Sequence, residues 1–257
     1  MTTINKEFGV HFNGSQTEQS NRQMFYEHYK NSPIPPQEKL SNLFLYTKRQ
    51  DVSSFLFINH MYQQIVNTHG VIMEFGVRWG KNLSILSSLR GIYEPFNHNR
   101  KIIGFDTFSG FPSVDAKDGS DELIKKGSYS VSENYEQYLS KVLDYHETES
   151  PISHIKKYEL RKGDASKEII KYLEENPQTI IAMAYFDFDI YAPTKDCLMA
   201  ISKHLTKGAI IGFDELNYDK FPGETLALNE VLGLGNYQVR RTPFSGMQSY
   251  IVYDGKK

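Results

Sequence analysis

The chain has 257 residues, with 29 Lys or Arg against 31 Asp or Glu, and its formal net charge is −2. This balance, without a basic stripe, argues against a nucleic-acid partner. No apolar run approaches the roughly 20 residues that span a bilayer, which argues against a membrane partner. Because Cys197 is the only cysteine and the N-terminus lacks the order of a signal peptide, we expect a cytoplasmic protein without disulfides.

The first 70 residues are predicted to form a helical arm or lid. Helices are expected at about 21–30 and 37–48, and a third helix should begin near Asp51 and stop at Gly70. This part of the chain is rich in Tyr and Phe. Most of these rings should pack on the core, and a minority could line a substrate pocket. Such an arm could also pack against a neighbouring subunit, which leaves a homo-oligomer open.

From residue 71 onward, predicted strands and helices alternate. Strands are expected at 71–75, 101–105, 157–162, 179–186 and 209–213, helices at 81–91, 166–175, 194–206 and 223–233, and two closing strands near 237–241 and 248–253. This alternation predicts an α/β domain at 71–257, in which a Rossmann-like parallel sheet carries helices on both faces and ends in an antiparallel hairpin. Residues 107–156 would form an insertion in that domain.

The first strand of this domain ends in an acid, a glycine turn and a helix start, with the spacing Glu74-x-Gly76-x-x-x-Gly80. A dinucleotide fingerprint would read Gly-x-Gly-x-x-Gly, and its extra glycine would admit a pyrophosphate. An acid in the turn instead suits a ligand with a positive charge and an amino group, such as S-adenosylmethionine (SAM). The spacing disfavours a nicotinamide-dependent reductase.

The next strands also end in acids, at the sheet edge where open α/β proteins bind ligands. Glu74, Asp106 and Asp164 follow the first three strands and could bind an amino group, a ribose diol and an adenine amine. Each also has a purely structural interpretation. Asp164 could cap the following helix, and Asp106 could be a turn residue.

The last two parallel strands end in a denser group of acids, namely Asp187, Asp189, Asp214 and Glu215. Acids gathered at one edge repel each other unless a cation or hydrogen-bond donors offset the charge. Carboxylate oxygens without His or Cys favour a hard cation such as Mg²⁺ over zinc. The sequence therefore indicates a divalent-ion site beside the cofactor site.

Four motifs in this order resemble the macrocin O-methyltransferase (TylF-like) family of class I SAM-dependent methyltransferases. The motifs lie at 74–80, 104–112, 186–194 and 221–223, and the resemblance spans roughly residues 65–253. Among them, Gly-Phe-Asp-x-Phe-x-Gly-Phe-Pro followed by Asp-x-Asp-x-Tyr-x-x-Thr is the most specific combination. That family includes sugar O-methyltransferases.

The resemblance implies a role for each acid. Its predicted cofactor contacts are Glu74 and Gly76 at the methionine part of SAM, Asp106 with Thr107 at the ribose, Asp164 and Ala165 beside adenine, and Asp187. Its predicted Mg²⁺ ligands are Asp187, Asp214 and Glu215, and its predicted catalytic pair is Asp187 with Asp189, the latter as general base. Many relatives have Asp-Asp where this chain has Asp214-Glu215, and the longer glutamate would shift the ion.

We therefore expect a Mg²⁺-assisted, SAM-dependent O-methyltransferase that acts on a sugar hydroxyl, in a nucleotide sugar, a glycosylated small molecule or a polysaccharide precursor. A second interpretation keeps SAM without the ion and gives the base role to Asp189 or to a histidine of the arm, His11 or His28. A third is a SAM-binding module without transfer chemistry.

Overall fold

The computed structural model describes residues 3–5, 10–12 and 14–255. The chain divides into two compact units, Met1–Ser53 and Ser54–Lys257. The first unit contains the two-stranded sheet of β1 (Thr3–Asn5) and β2 (Val10–Phe12), helices α1 (Gln16–Lys30) and α2 (Pro36–Ser41), the 3₁₀ helix Leu43–Tyr46, and the start of α3 (Arg49–Ile65).

The helices of the first unit differ from their predicted bounds for local reasons. α1 begins earlier than predicted, because Ser15 and Glu18 form a capping box in which each side chain accepts the other residue's backbone N–H. The predicted helix at 37–48 divides at Asn42, whose side-chain amide donates to the carbonyl of Glu38. None of the described side chains in α1, α2 or the 3₁₀ helix is buried.

The second unit is built on a seven-stranded sheet with the order β5-β4-β3-β6-β7-β9-β8. Its strands are β3 (Val71–Phe75), β4 (Ile102–Asp106), β5 (Tyr158–Lys162), β6 (Ile181–Phe186), β7 (Leu205–Phe213), β8 (Arg240–Arg241) and β9 (Ser249–Val252). β3 to β7 are parallel, and β9 runs antiparallel to both β7 and β8. The predicted Rossmann-like sheet with a C-terminal antiparallel hairpin is confirmed.

Helices cover both faces of this sheet. They are the main part of α3, then α4 (Lys81–Tyr93), α5 (Tyr135–Thr148), α6 (Ala165–Glu175), α7 (Tyr191–Ile201) and α8 (Gly223–Val231). One apolar cluster joins α3, α4 and α5 to the sheet, and another joins α6, α7 and α8 to it. No described helix combines the length and apolarity that crossing a membrane demands.

The predicted boundary between α7 and β7 was wrong. The helix was expected at 194–206, but it begins at Tyr191 and ends at Ile201, because Pro193 is tolerated in a first turn. β7 starts at Leu205, which pairs with Ile181. The apolar residues after 201 therefore belong to the strand.

Four phenylalanines form a ladder across the sheet just before its carboxyl edge. The rings of Phe105, Phe75, Phe186 and Phe213 stack in that order, with centroid separations of 5.0, 4.7 and 5.4 Å. Each pair is also in backbone register on neighbouring strands. Because the ladder aligns these four strands, the residue after each phenylalanine reaches the same edge of the sheet.

Candidate active site

The residues that follow the phenylalanine ladder are Asp106, Gly76, Asp187 and Asp214. Gly76 has a φ of +96°, and a Cβ atom there would lie 2.0 Å from the carbonyl oxygen of Asp187. The N–H of Asp187 donates to the carbonyl of Phe75 at 2.8 Å. Only glycine fits this approach, so the glycine turn is in direct contact with the backbone that carries the acids.

Glu74 lies beneath this turn and is 1% exposed. Burial raises the pKa of its carboxyl to about 8, although a hydrogen bond from the Asn82 side chain opposes the shift. Among the described residues, Glu74 Oε2 and Asn82 Oδ1 have no hydrogen-bond partner. Two buried acceptors without a donor, one near the end of β3 and one at the start of α4, suit a ligand that brings N–H groups.

Asp106 holds the glycine turn in place. Its Oδ2 accepts the backbone N–H groups of Val77 at 2.7 Å and Arg78 at 2.8 Å, and its Oδ1 accepts that of Phe108 at 2.6 Å. A carboxylate offers about four lone-pair sites, so one remains for a ligand. The Thr107 hydroxyl accepts from Ser109 N–H and donates to the Gly110 carbonyl, which closes the next turn.

Asp164 caps α6, as its structural interpretation predicted. Its Oδ1 accepts the N–H of Ser166 at 3.2 Å, and its Oδ2 lies 3.3 Å from Lys167 Nζ. Ala165 beside it is buried. Asp164 also lines a pocket of about 700 Å³ together with Pro112, Ser113, Ser166, Lys167, Ile170, Ala192, Pro193, Asp196, Met199 and Ala200. Asp164, which was predicted to lie beside adenine, is therefore both a helix cap and part of a pocket wall.

The four acids after β6 and β7 are brought together. Burial, then repulsion from Asp214 and Asp189, raises the pKa of Asp187 well above its usual range. Burial and Asp214 raise the pKa of Asp189 to about 7, and burial, Asp189 and Asp214 raise the pKa of Glu215 to about 10. Asp214 thus lies near enough to the other three carboxyls to oppose their ionisation.

A fifth acid, Glu224, was not predicted. It is fully buried in the first turn of α8, where its Oε1 accepts the N–H groups of Phe188 at 3.1 Å and Asp189 at 3.3 Å. Its Oε2 accepts the N–H of Glu215 at 3.4 Å. Burial, then Asp189 and Asp214, raises its pKa well above the usual range. The available signal was an acid directly after Pro222-Gly223 in a predicted first turn, where acids are ordinary.

Three further side chains, those of Tyr185, Gln248 and Tyr129, lie near the acids. Asp214 Oδ1 accepts the hydroxyl of Tyr185 at 2.6 Å and the side-chain amide of Gln248 at 2.9 Å. From the insertion, Tyr129 places its ring 4.9 Å from the Arg78 guanidinium carbon. Burial, followed by the charges of Asp189 and Glu215, raises the pKa of the Tyr129 phenol.

Comparison with known proteins gives the family. No family model matches the sequence, and no curated protein matches it. The crystal structure of CalS11, a calicheamicin methyltransferase, is 42% identical over 95% of both chains with a TM-score of 0.92. The chain belongs to the class I SAM-dependent O-methyltransferases related to the TylF-like enzymes.

Two other solved structures are also similar to this methyltransferase. An apo structure of CalS11, described as a TDP-rhamnose 3'-O-methyltransferase in calicheamicin biosynthesis, is 39% identical, with a TM-score of 0.83 over 95% of this chain and 97% of that one. The O-methyltransferase NovP is 16% identical, with a TM-score of 0.61 over 79% and 80% of the two chains, which supports the fold alone.

The acids of the methyltransferase have the donor chemistry of a hard-cation site. They offer only carboxylate oxygens, and Glu215 Oε2 is buried without a hydrogen-bond partner among the described residues. Within residues 3–5, 10–12 and 14–255, no three His, Cys, Asp or Glu side chains are arranged to hold one metal ion. The structure therefore brings the predicted ligands into electrostatic range without grouping three of them around one point.

Proposed function

We propose that this methyltransferase transfers the methyl group of SAM to a hydroxyl of a sugar, carried by a nucleotide sugar or a glycosylated small molecule. The 39% identity with a TDP-rhamnose 3'-O-methyltransferase supports the sugar as acceptor. The observation that carries the proposal is the close approach of Gly76 to Asp187. Because of this approach, the glycine turn proposed to bind SAM lies next to the acids proposed to bind the acceptor. Methyl transfer requires the two substrates to be adjacent in this way.

The cofactor would lie along the carboxyl ends of β3, β4 and β5. Glu74 Oε2 and Asn82 Oδ1 would accept from the ammonium group of SAM, since both acceptors have no described donor. Asp106 would offer its remaining lone pair to the ribose, beside Thr107. The adenine would lie near Asp164 and Ala165, and the pocket that Asp164 lines supports this end of the assignment.

The reaction would be an in-line displacement at the methyl carbon of SAM. The bond from sulfur to methyl would break as the bond from acceptor oxygen to methyl forms, and S-adenosylhomocysteine would leave as a neutral thioether. The acceptor hydroxyl must give up its proton, and the pKa of Asp189, raised to about 7 by burial and Asp214, suits a base at neutral pH. Asp189 would take that proton, and most of the remaining catalysis would be positioning.

We further propose that Asp187, Asp214 and Glu215 hold a Mg²⁺ ion. When bound, such an ion would coordinate acceptor hydroxyls and make them more acidic. Besides burial, the charges of Asp189 and Asp214 raise the pKa values of both Asp187 and Glu215, and a cation would offset that repulsion. Activity that survives exhaustive chelation would instead favour a metal-independent enzyme with Asp189 as base.

The role of Asp189 is tested by Asp189→Asn, with Asp219→Asn as an exposed control on the neighbouring loop. We expect the first variant to lose about 10²–10⁴-fold in kcat toward a sugar acceptor while S-adenosylhomocysteine binds as in wild type. The control should keep wild-type kcat. Initial rates from methyl-labelled SAM, with Mg²⁺ and with EDTA, measure both. Full activity of Asp189→Asn would remove the base assignment.

A further inference from the structure

Helix α7 begins directly after the turn that carries Asp189, and its own N-cap residue cannot cap it. That residue is Ile190, which makes no side-chain hydrogen bond to the helix. Asp118 acts in its place, because its Oδ1 accepts the N–H of Tyr191 at 2.5 Å. Asp118 lies in the 3₁₀ helix Ala116–Asp118 of the insertion and is 1% exposed. A buried carboxylate from another segment therefore caps α7.

The 3₁₀ helix also holds the side chain of Tyr191. Lys117 Nζ lies 4.0 Å from the centre of the tyrosine ring and donates to its hydroxyl at 2.8 Å. The same ammonium pairs with Glu230 of α8 at 3.0 Å. The other oxygen of the Asp118 carboxylate accepts the N–H of Asp115 at 2.6 Å, which keeps the 3₁₀ helix closed. The insertion is thus attached to α7 and α8 at several points.

The turn is held on its other side by α8. Glu224 accepts the N–H groups of Phe188 and Asp189. A Cβ atom on Gly223 would lie 2.5 Å from the backbone nitrogen of Tyr191, so only glycine lets α8 approach so closely. Asp189 itself has a φ of +62°, a conformation that a residue other than glycine keeps only when its surroundings enforce it. The surroundings here are two buried carboxylates, one from each side.

We propose that Asp118 is a positioning residue that fixes the turn at 189–191 and so sets the direction of the Asp189 carboxylate. This inference rests on the proposed role of Asp189 as the base. The insertion that carries Asp118 also carries Tyr129, whose phenol is near the acids. Docking of the insertion and orientation of the base are then one event, and loosening the first should misplace the second.

The test compares Asp118→Ala and Asp118→Asn with Lys117→Met. Alanine removes both acceptor oxygens, and asparagine retains one. Lys117→Met breaks the contacts with the Tyr191 phenol and Glu230 but keeps the cap on the Tyr191 N–H. We expect the alanine variant to lose about 10- to 100-fold in kcat, since a small misplacement of reacting groups is costly. Asparagine should be intermediate, and the affinity for S-adenosylhomocysteine should be unchanged in all three.

Amide hydrogen exchange of Tyr191 gives a readout that a general loss of stability would not imitate. In Asp118→Ala this amide should exchange faster while core amides of β3 keep their protection, and in Lys117→Met it should stay protected. If the alanine variant does not fold, asparagine carries the same comparison. Unchanged exchange at Tyr191, or unchanged kcat in a folded variant with faster exchange, would overturn the proposal. If the wild-type protein methylates no sugar, the proposed function is wrong. The exchange of the Tyr191 amide would still show whether Asp118 fixes the turn.

Discussion

Glu74 and Asp106 lie on adjacent strands, yet their carboxylates are used differently. Three backbone N–H groups hold Asp106, so most of its hydrogen-bonding capacity shapes the glycine turn. Glu74 is buried and keeps one oxygen without a described partner. We infer that Asp106 builds the pocket and that Glu74 is the acid with capacity left for the charge of the ligand.

This difference predicts proton release when the cofactor binds. With a pKa raised by burial to about 8, Glu74 is mostly protonated at pH 7, and a ligand ammonium favours the ionised form. Binding of S-adenosylhomocysteine at pH 7 should therefore expel a proton, and its affinity should rise with pH up to about 8. Titration calorimetry in buffers of different ionisation enthalpy measures this release.

The matched variant is Glu74→Gln, which keeps the shape of the side chain without the titration. Its proton release should be smaller, and its affinity should be lower and flatter with pH. In the protein without ligand the sign is opposite. Because burial disfavours the ionised carboxyl, the protonated form of Glu74 stabilises the folded protein relative to the unfolded chain. This contribution to the free energy of unfolding is lost as the pH rises from 4.5 towards 8. Equal proton release by wild type and variant would exclude Glu74 as the group responsible.

Among the secondary-structure elements, α4, α5 and β5 are joined by a buried ionic group. Glu147 at the end of α5 pairs with Arg90 of α4, and its Oε2 lies 2.6 Å from Lys157 Nζ, just before β5. All three side chains are almost fully buried. The group ties the insertion helix to the sheet, and a single carboxylate balances two cations.

Removing that carboxylate should be costly, because two buried cations would lose their partner. We expect Glu147→Gln to lower the free energy of unfolding by about 3–5 kcal/mol. Glu149→Gln, on an exposed residue at the same helix end, should change it little. Urea denaturation of the two variants against wild type measures the difference. A loss in Glu147→Gln no larger than in the control would show that the group is not a structural link.

The strands and helices of the α/β domain, and the sheet edge that carries the site, could be predicted from the sequence. Where strands and helices alternate, the carboxyl ends of the parallel strands all lie at one edge of the sheet. The register that aligns Asp106, Asp187 and Asp214 was not readable, since the phenylalanine ladder arises only when four distant segments pair. Glu224 and Gln248 were missed for the same reason. Each joins the site through hydrogen bonds between elements, and neither stands in a motif.

At the scale of the whole molecule, the helices of the predicted N-terminal arm differ in how far their side chains are buried. The described helices of 14–48 bury no side chain, whereas α3 contributes Phe57, Met61 and Tyr62 to the core of the second unit. The predicted boundary at residue 70 falls after α3, and the units divide at Ser53. The role of the first unit as a lid, and a homo-oligomer, stay predictions.

The measurement that tests the account most directly is mass spectrometry of sugar acceptors incubated with the protein and SAM. A panel of TDP-deoxysugars, the matching free sugars and a catechol separates the acceptor classes. We predict that a sugar gains one methyl group in step with S-adenosylhomocysteine formation, and that Asp189→Asn slows both by about 10²–10⁴-fold. Methylation of the catechol alone, or S-adenosylhomocysteine formation without any methylated sugar, would contradict the account.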